Sequence, residues 1–309
     1  MAGVSDPRRL GDWLDSRRLL VCDGAMGTEL QAAGLTPGGC PELWNVESAE
    51  AVLAIMARYR AAGAELLETN SFGGSPHKLG AYGIAARCRE INVAAARIGR
   101  AAAGEAALVV GSIGPTGALL EPLGPLRPEE AYDGFVTQAR ALAEGGVDAF
   151  CVETMTDLVE ATLAVRAAAT TGLPVMATMT FEPTPRGFFT IMGVDVPTAA
   201  RELAAAGASA LGTNCGTGPA PMVAIVRLFR QHSDLPLLVQ ANAGVPELRA
   251  GEVLYPEGPH DFASHAAALV DAGATMLGGC CGTTPAHIHA LALQVRELRV
   301  ATAPNRGTS

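Results

Sequence analysis

Residues 274–285 read Ala-Thr-Met-Leu-Gly-Gly-Cys-Cys-Gly-Thr-Thr-Pro. The first half is short, apolar and uncharged, as in a strand buried on both faces of a parallel sheet. The Gly-Gly-Cys-Cys-Gly run breaks that pattern and marks a turn. Thr284 and Pro285 then open a helix: a threonine side chain caps the free N–H groups, and a proline in the first turn loses no helical hydrogen bond. The stretch 285–300 continues as an Ala/Leu/Arg-rich helix. One short stretch of chain therefore holds a strand, a loop and a helix, in that order.

Working outward, the same unit recurs along the chain. Apolar runs at 19–23, 64–70, 107–114, 147–154, 174–181, 208–215, 236–243 and 274–281 predict eight strands. Helical stretches are predicted at 50–62, 86–103, 128–145, 156–170, 197–206, 219–232, 261–272 and 285–300. Gly63-Ala64, Gly145-Gly146, Gly207-Ala208 and Gly273-Ala274 stand where helices must close. Eight strand–helix units point to an α/β fold, the (β/α)8 TIM barrel. A doubly wound sheet would need a dinucleotide fingerprint, and Gly111-Ser-Ile-Gly-Pro-Thr-Gly117 has the wrong glycine spacing for one. No linker or charge block divides the chain. One domain is expected over 1–300, with a disordered tail at 301–309.

Composition narrows the function classes. A chain of 309 residues with net charge −9 lacks the basic surface of a nucleic-acid binder. Two 24-residue stretches, 203–226 and 272–295, carry no charged side chain and mimic membrane spans. Asn214, Pro219 and Pro221 in the first, and the glycines and Pro285 in the second, fit strand–turn–helix segments better, so no membrane association is expected. The first twenty residues show no apolar secretory core, which points to a cytoplasmic protein. Seven cysteines in such a chain are better used for metal binding or catalysis than for a disulfide framework.

In a barrel, chemistry sits at the carboxyl ends of the strands. Cys215, Cys280 and Cys281 all fall there, on units six and eight, with Gly282 able to turn both neighbouring sulfurs toward one ion. Three thiolates suit Zn²⁺ with a fourth position open for catalysis. The same cysteines also read as small buried apolar residues, or, for Cys280 and Cys281, as a strained redox pair. Asp23, Glu68, Glu153 and Asp157 lie near the same face. Asp157 reads as a helix cap. Glu153, ending an apolar run, has no packing explanation, and the N–H groups of Gly24–Gly27 offer a cradle for a carboxylate.

The segments Asp23-Gly-Ala-Met-Gly-Thr28, Glu68-Thr-Asn-Ser-Phe-Gly73, Gly111-Ser-Ile-Gly-Pro115, Gly212-Thr-Asn-Cys215, Asn242-Ala-Gly244 and Gly278-Gly-Cys-Cys-Gly-Thr-Thr-Pro285 resemble the homocysteine S-methyltransferase family. That family includes the N-terminal barrel of cobalamin-dependent methionine synthase, the betaine–homocysteine methyltransferases and the S-methylmethionine-dependent enzymes. The resemblance runs from residue 23 to 285. It implies a Zn²⁺-dependent barrel that methylates the thiol of L-homocysteine to give methionine. The zinc thiolates fall on Cys215, Cys280 and Cys281. Asp23 and Glu153 look like acids that bind the amino acid, with Gly24, Ala25 and Met26 near its carboxylate, and Asn242 approaches the metal when substrate is absent.

The resemblance leaves three methyl donors: a methyl-corrinoid protein, a betaine-type onium compound, or S-methylmethionine. An onium donor favours an aromatic cage, for which Trp44, Phe72, Tyr82, Phe188 and Phe189 are candidates. One barrel has no room for a corrinoid domain, so a corrinoid donor would be delivered in trans. The alternative is a non-catalytic zinc- or thiol-binding barrel within a methyl-transfer complex.

Overall fold

A computed structural model describes residues 18–249 and 252–302. Eight parallel strands form the centre: β1 (Leu20–Val21), β2 (Leu66–Glu68), β3 (Leu108–Ile113), β4 (Ala149–Met155), β5 (Val175–Met179), β6 (Ala210–Asn214), β7 (Leu237–Ala241) and β8 (Met276–Gly279). Consecutive strands pair, and β8 pairs with β1. A bridge between Cys22 and Leu66 joins β1 to β2 and closes the ring. The helices α1 (Ala49–Ala62), α2 (Cys88–Ala103), α3 (Pro128–Gly145), α4 (Leu158–Ala169), α5 (Val196–Ala205), α6 (Pro219–His232) and α8 (Pro285–Thr302) wrap it, and two short helices, Pro259–Ser264 and Ala266–Asp271, make up α7. This is the expected (β/α)8 barrel.

Period-two alternation explains the interior. Leu20, Cys22, Leu66, Leu108, Val110, Ala149, Cys151, Met176, Ala210, Leu238 and Met276 pack together as the apolar plug inside the barrel. The alternate residues, such as Val21, Leu67, Val109, Phe150 and Leu211, belong to the larger core between strands and helices. Counting two residues on from the plug along the strands reaches Glu68, Ser112, Glu153, Thr178 and Gln240. The same alternation that fills the floor with apolar groups therefore sets a polar layer above it, at the carboxyl ends.

The glycines predicted to close helices do so. Gly63, Gly146, Gly207 and Gly273 have φ of +111°, +99°, +107° and +113°, which a side chain would strain. The helix α8 starts as expected at Thr284-Pro285. His287 adds a reciprocal contact, its Nδ1 accepting from the Thr284 N–H at 3.1 Å while its Nε2 donates to the Glu257 carbonyl at 2.9 Å.

Four details differ from the sequence expectation. The strands are shorter than the apolar runs, and in every unit but the fourth the last residues of the run leave the ladder to shape the mouth. The helix expected at 261–272 is broken at His265, whose ψ of −8° interrupts the helical path. Short hairpins (Glu182–Thr184 with Gly187–Phe189, and Glu247–Arg249 with Glu252–Leu254) decorate the loops after β5 and β7. The expected tail begins at 301, but α8 runs to Thr302, and 303–309 lie outside the described residues. Among the described residues no helix is long and apolar enough to cross a membrane.

The loops after β1 and β8 are tied by one buried side chain. The Tyr59 hydroxyl, on α1, lies 2.9 Å from the Ala25 carbonyl and 3.1 Å from the Thr283 carbonyl and shares its proton between them. Tyr59→Phe should cost about 1–3 kcal/mol, because it leaves both carbonyls short of a donor. Urea denaturation checks this, and an unchanged midpoint would show that the hydroxyl holds nothing in place.

Candidate active site

At the carboxyl ends of the strands lies a pocket of about 250 Å³. It is lined by Asp23, Gly24, Ala25, Met26, Glu153, Cys215, Cys280 and Cys281, eight of the nine residues singled out from the sequence. Asn242 is not among the lining residues. It is buried beside them, its N–H bonded to the Thr217 carbonyl and its Oδ1 without a hydrogen-bond partner. Asp157 caps α4 as expected, accepting from the N–H groups of Val159 and Glu160.

The three sulfurs come together by local backbone turns. β8 ends at Gly279, so Cys280 and Cys281 lie in the turn rather than on opposite faces of a strand. Gly282, at φ +79°, carries the turn, with the Tyr255 ring packed where a Cβ would be. Cys215 sits just past β6 at φ +60°, a left-handed conformation seldom taken by a residue with a side chain. Its N–H bonds the Gln240 carbonyl at 3.0 Å, which holds the turn. Here strained backbone coincides with a functional cluster.

The Cys215 and Cys281 sulfurs are 3.9 Å apart, and all three sulfurs lie within 4.8 Å of one another. Tetrahedral zinc with bonds of about 2.3 Å places thiolates about 3.8 Å apart, so the spacing and the soft donor set fit Zn²⁺. The crowded thiols share charge unevenly. Hydrogen bonds from Cys215 and Cys280, with a further one from Tyr255, hold the Cys281 thiol down at about 3. Cys280 is pushed well above its ordinary value by its contacts with Cys215 and Cys281.

The same pocket holds three carboxyls, of which Asp23 and Glu153 are buried and Glu68 is half-buried. Asp23 Oδ2 accepts from the Glu68 N–H at 2.9 Å, while Asp23 Oδ1 is buried with no partner. Glu153 accepts from Ser112 Oγ at 2.5 Å and from Asn214 Nδ2 at 3.3 Å. Burial raises all three above the ordinary carboxyl range. The charge of Glu153 adds to the shift of Asp23, and that of Glu68 to Glu153. Glu68 is pushed up to about 8 by burial and by Asp23. A positive group placed among these acids would favour their charged forms and give the free Asp23 oxygen a partner.

The floor beneath Gly24 is tight. A Cβ there would lie 2.6 Å from Thr283 Oγ1 and 2.9 Å from the Tyr59 ring. The Ala25 N–H donates to Thr283 Oγ1 at 3.1 Å. The short helix Met26–Ala32 follows, and the N–H groups of its first turn have no helical partners.

Sequence reasoning left Glu68 without a role and did not single out Ser112, Gln240 or Glu42, all of which line the pocket, nor Asn214, which bonds Glu153. A strict two-residue count along each strand reaches Glu68, Ser112 and Gln240. Glu42 has no such signal, since it enters from the loop before α1 and accepts from the Gly73 N–H at 2.6 Å.

The Glu68 shift has a signed consequence. Its folded value of about 8 exceeds the unfolded value of 4.5, so its contribution to stability is full below 4.5 and is lost as the pH rises through 8. Glu68→Gln should remove about 1.4 kcal/mol per pH unit of that loss within this window. Urea titrations of metal-stripped wild type and variant between pH 5 and 8.5 measure it, and parallel slopes would refute it.

Comparison with known proteins places this geometry. Residues 20–295 match the family model described as homocysteine S-methyltransferase. The chain is 37% identical to the methionine synthase of Mycobacterium tuberculosis over 93% of its length and 36% identical to that of Mycobacterium leprae over 94%. It spans only about a quarter of the length of these curated relatives. The metallated form of the homocysteine methyltransferase MmuM from Escherichia coli superposes with a TM-score of 0.74 at 26% identity, covering 92% of this chain and 99% of that one. With the family model matched over most of its length, the chain belongs to the homocysteine S-methyltransferase family.

Proposed function

We propose that this chain transfers a methyl group to the thiol of L-homocysteine, giving methionine, at a Zn²⁺ ion held by Cys215, Cys280 and Cys281. The observation that carries this reading is a single small pocket with three clustered sulfurs on one side and a buried carboxyl group with an unmet acceptor on the other. A small amino acid with a thiol offers a partner to each.

Bound there, Zn²⁺ lowers the pKa of an incoming thiol and so supplies a thiolate nucleophile at neutral pH. The protein does the rest. Asp23 Oδ1 and Glu153 receive the α-ammonium group, whose positive charge offsets the burial and mutual repulsion that raise their pKa values. The N–H groups of Met26 and Gly27, at the start of a helix, meet the α-carboxylate. Because Thr283 already occupies the Ala25 N–H, the cradle expected at Gly24, Ala25 and Met26 narrows to its two outer members and Gly27. Asn242 supports the cluster from behind, since the next residue, Ala243, donates its N–H to the Cys281 carbonyl at 3.0 Å. The fixed amino acid aims its sulfur at the pocket mouth, where the new S–CH₃ bond forms as the bond from methyl to donor breaks and the donor keeps the electron pair.

One observation bears on the donor. Of the five rings available for an onium cage, only Phe72 lines the pocket. A single ring does not enclose a quaternary ammonium. This supports a methyl group presented at the mouth by a corrinoid over a betaine-type donor, in line with the likeness to methionine synthases.

Purified protein assayed for methionine with homocysteine and each of the three donors tests the reading. The expected result is turnover with methyl-corrinoid and one zinc per chain. A wild type that binds no zinc after metal-replete purification would sink it. Cys281→Ala should lose zinc and activity together. Asp23→Asn should keep the metal and raise the homocysteine KM by about ten- to a hundredfold, the scale of a lost hydrogen bond to a charged group.

A further inference from the structure

Asn214, the last residue of β6, is fully buried and stands between the two halves of the site. Its Oδ1 accepts from the Thr154 N–H at 2.8 Å and from Thr178 Oγ1 at 2.7 Å. A backbone N–H only donates, so the atom facing it is the oxygen and the orientation of the amide is settled. The Nδ2 group must then face the other way. It donates to Thr154 Oγ1 at 2.7 Å and to Glu153 Oε2 at 3.3 Å, and it lies 4.0 Å from Cys280 Sγ.

One amide thus touches the acid on one side of the pocket and a sulfur on the other. Its anchors are unusual: Thr154 has φ +58°, and the register of β4 against β5 shifts between Val152 and Met155. The strained residue supplies both an acceptor and a donor to Asn214. The chain end of β6 is fixed in turn by Thr180 Oγ1, which donates to the Asn214 carbonyl at 3.0 Å. Without that clamp the amide would have no reason to face both groups at once.

We propose that Asn214 is a positioning residue that sets the distance between the ammonium-binding acid and the thiolate cluster, and so matches the pocket to the length of the amino thiol. The inference rests on the reading above, in which Glu153 binds the ammonium group and Cys280 holds zinc. Asn214 touches neither the substrate nor the methyl group. It holds Glu153 facing the pocket and offers an N–H to the Cys280 sulfur, which tempers its charge.

The test compares Asn214→Ala with Ser112→Ala. Ser112 supports Glu153 through a 2.5 Å hydrogen bond. Ser112→Ala should raise the homocysteine KM and leave zinc affinity, measured by chelator competition, unchanged. Asn214→Ala should move both, weakening zinc and raising KM each by about tenfold or more, the scale of a lost partner to a metal ligand. It should also narrow the preference for homocysteine over cysteine as a competing ligand. If Asn214→Ala does not fold, Thr178→Val serves, since it frees one side of the amide without touching Glu153 or a sulfur, and the same two readouts should move by less. A variant that shifts only the melting temperature, or only one of the two readouts, overturns the proposal. Wild type that binds no zinc and uses no homocysteine would instead fail the reading beneath it.

Discussion

Three carboxyl groups crowded into one pocket are the constraint around which the upper half of this barrel is arranged. Asp23, Glu68 and Glu153 stand on an apolar plug that offers them no water, and burial together with their mutual charge raises the pKa of each. Such an arrangement is costly in an empty pocket and becomes favourable once a positive group arrives. The neighbouring polar groups reflect that. Ser112 and Asn214 orient Glu153, and the Glu68 N–H orients Asp23, yet one oxygen of Asp23 remains unmet. The protein leaves for its ligand the interaction it does not complete itself.

The sulfur cluster answers a different requirement. A regular strand cannot turn adjacent side chains to one side, so both cysteine-bearing segments leave their strands first. Gly282 supplies one turn at no steric cost, whereas Cys215 takes a left-handed conformation despite its side chain. The Gln240 carbonyl of β7 holds that conformation by accepting the Cys215 N–H. Rigidity at the strand ends, rather than in the long loops, places the sulfurs.

The barrel and the three cysteines were legible in the sequence because both depend on periodicity. Short apolar runs alternate with helical stretches, and chemistry gathers at one end of each run. Asp23 and Glu153 were legible as well, the latter because a carboxylate closing an apolar run has no packing role. Glu68 and Gln240 lie at the same depth and follow from the same alternation, but only once the inward parity of each strand is fixed, and short strands fix it weakly. Asn214 ends an apolar run that gives it no signal of its own, and its contacts with Thr154 and Thr178 come from two other strands. The break at His265 and the two small hairpins depend on local turns for which runs of three residues give too little pattern.

The closing strand gives the assembly a direction in time. Among the described residues β8 is the last strand, and it lies between β7 and β1, the strand after which the first acid of the site stands. Two of the three sulfurs follow directly after it. A ribosome making this protein N-terminal end first therefore releases Asp23 early and Cys280 and Cys281 late. Until residues 276–281 slot in as the final stave, the ring is open and the sulfur cluster has only Cys215. A chain made only as far as β7 therefore carries Asp23, Glu68 and Glu153 but one sulfur of the three.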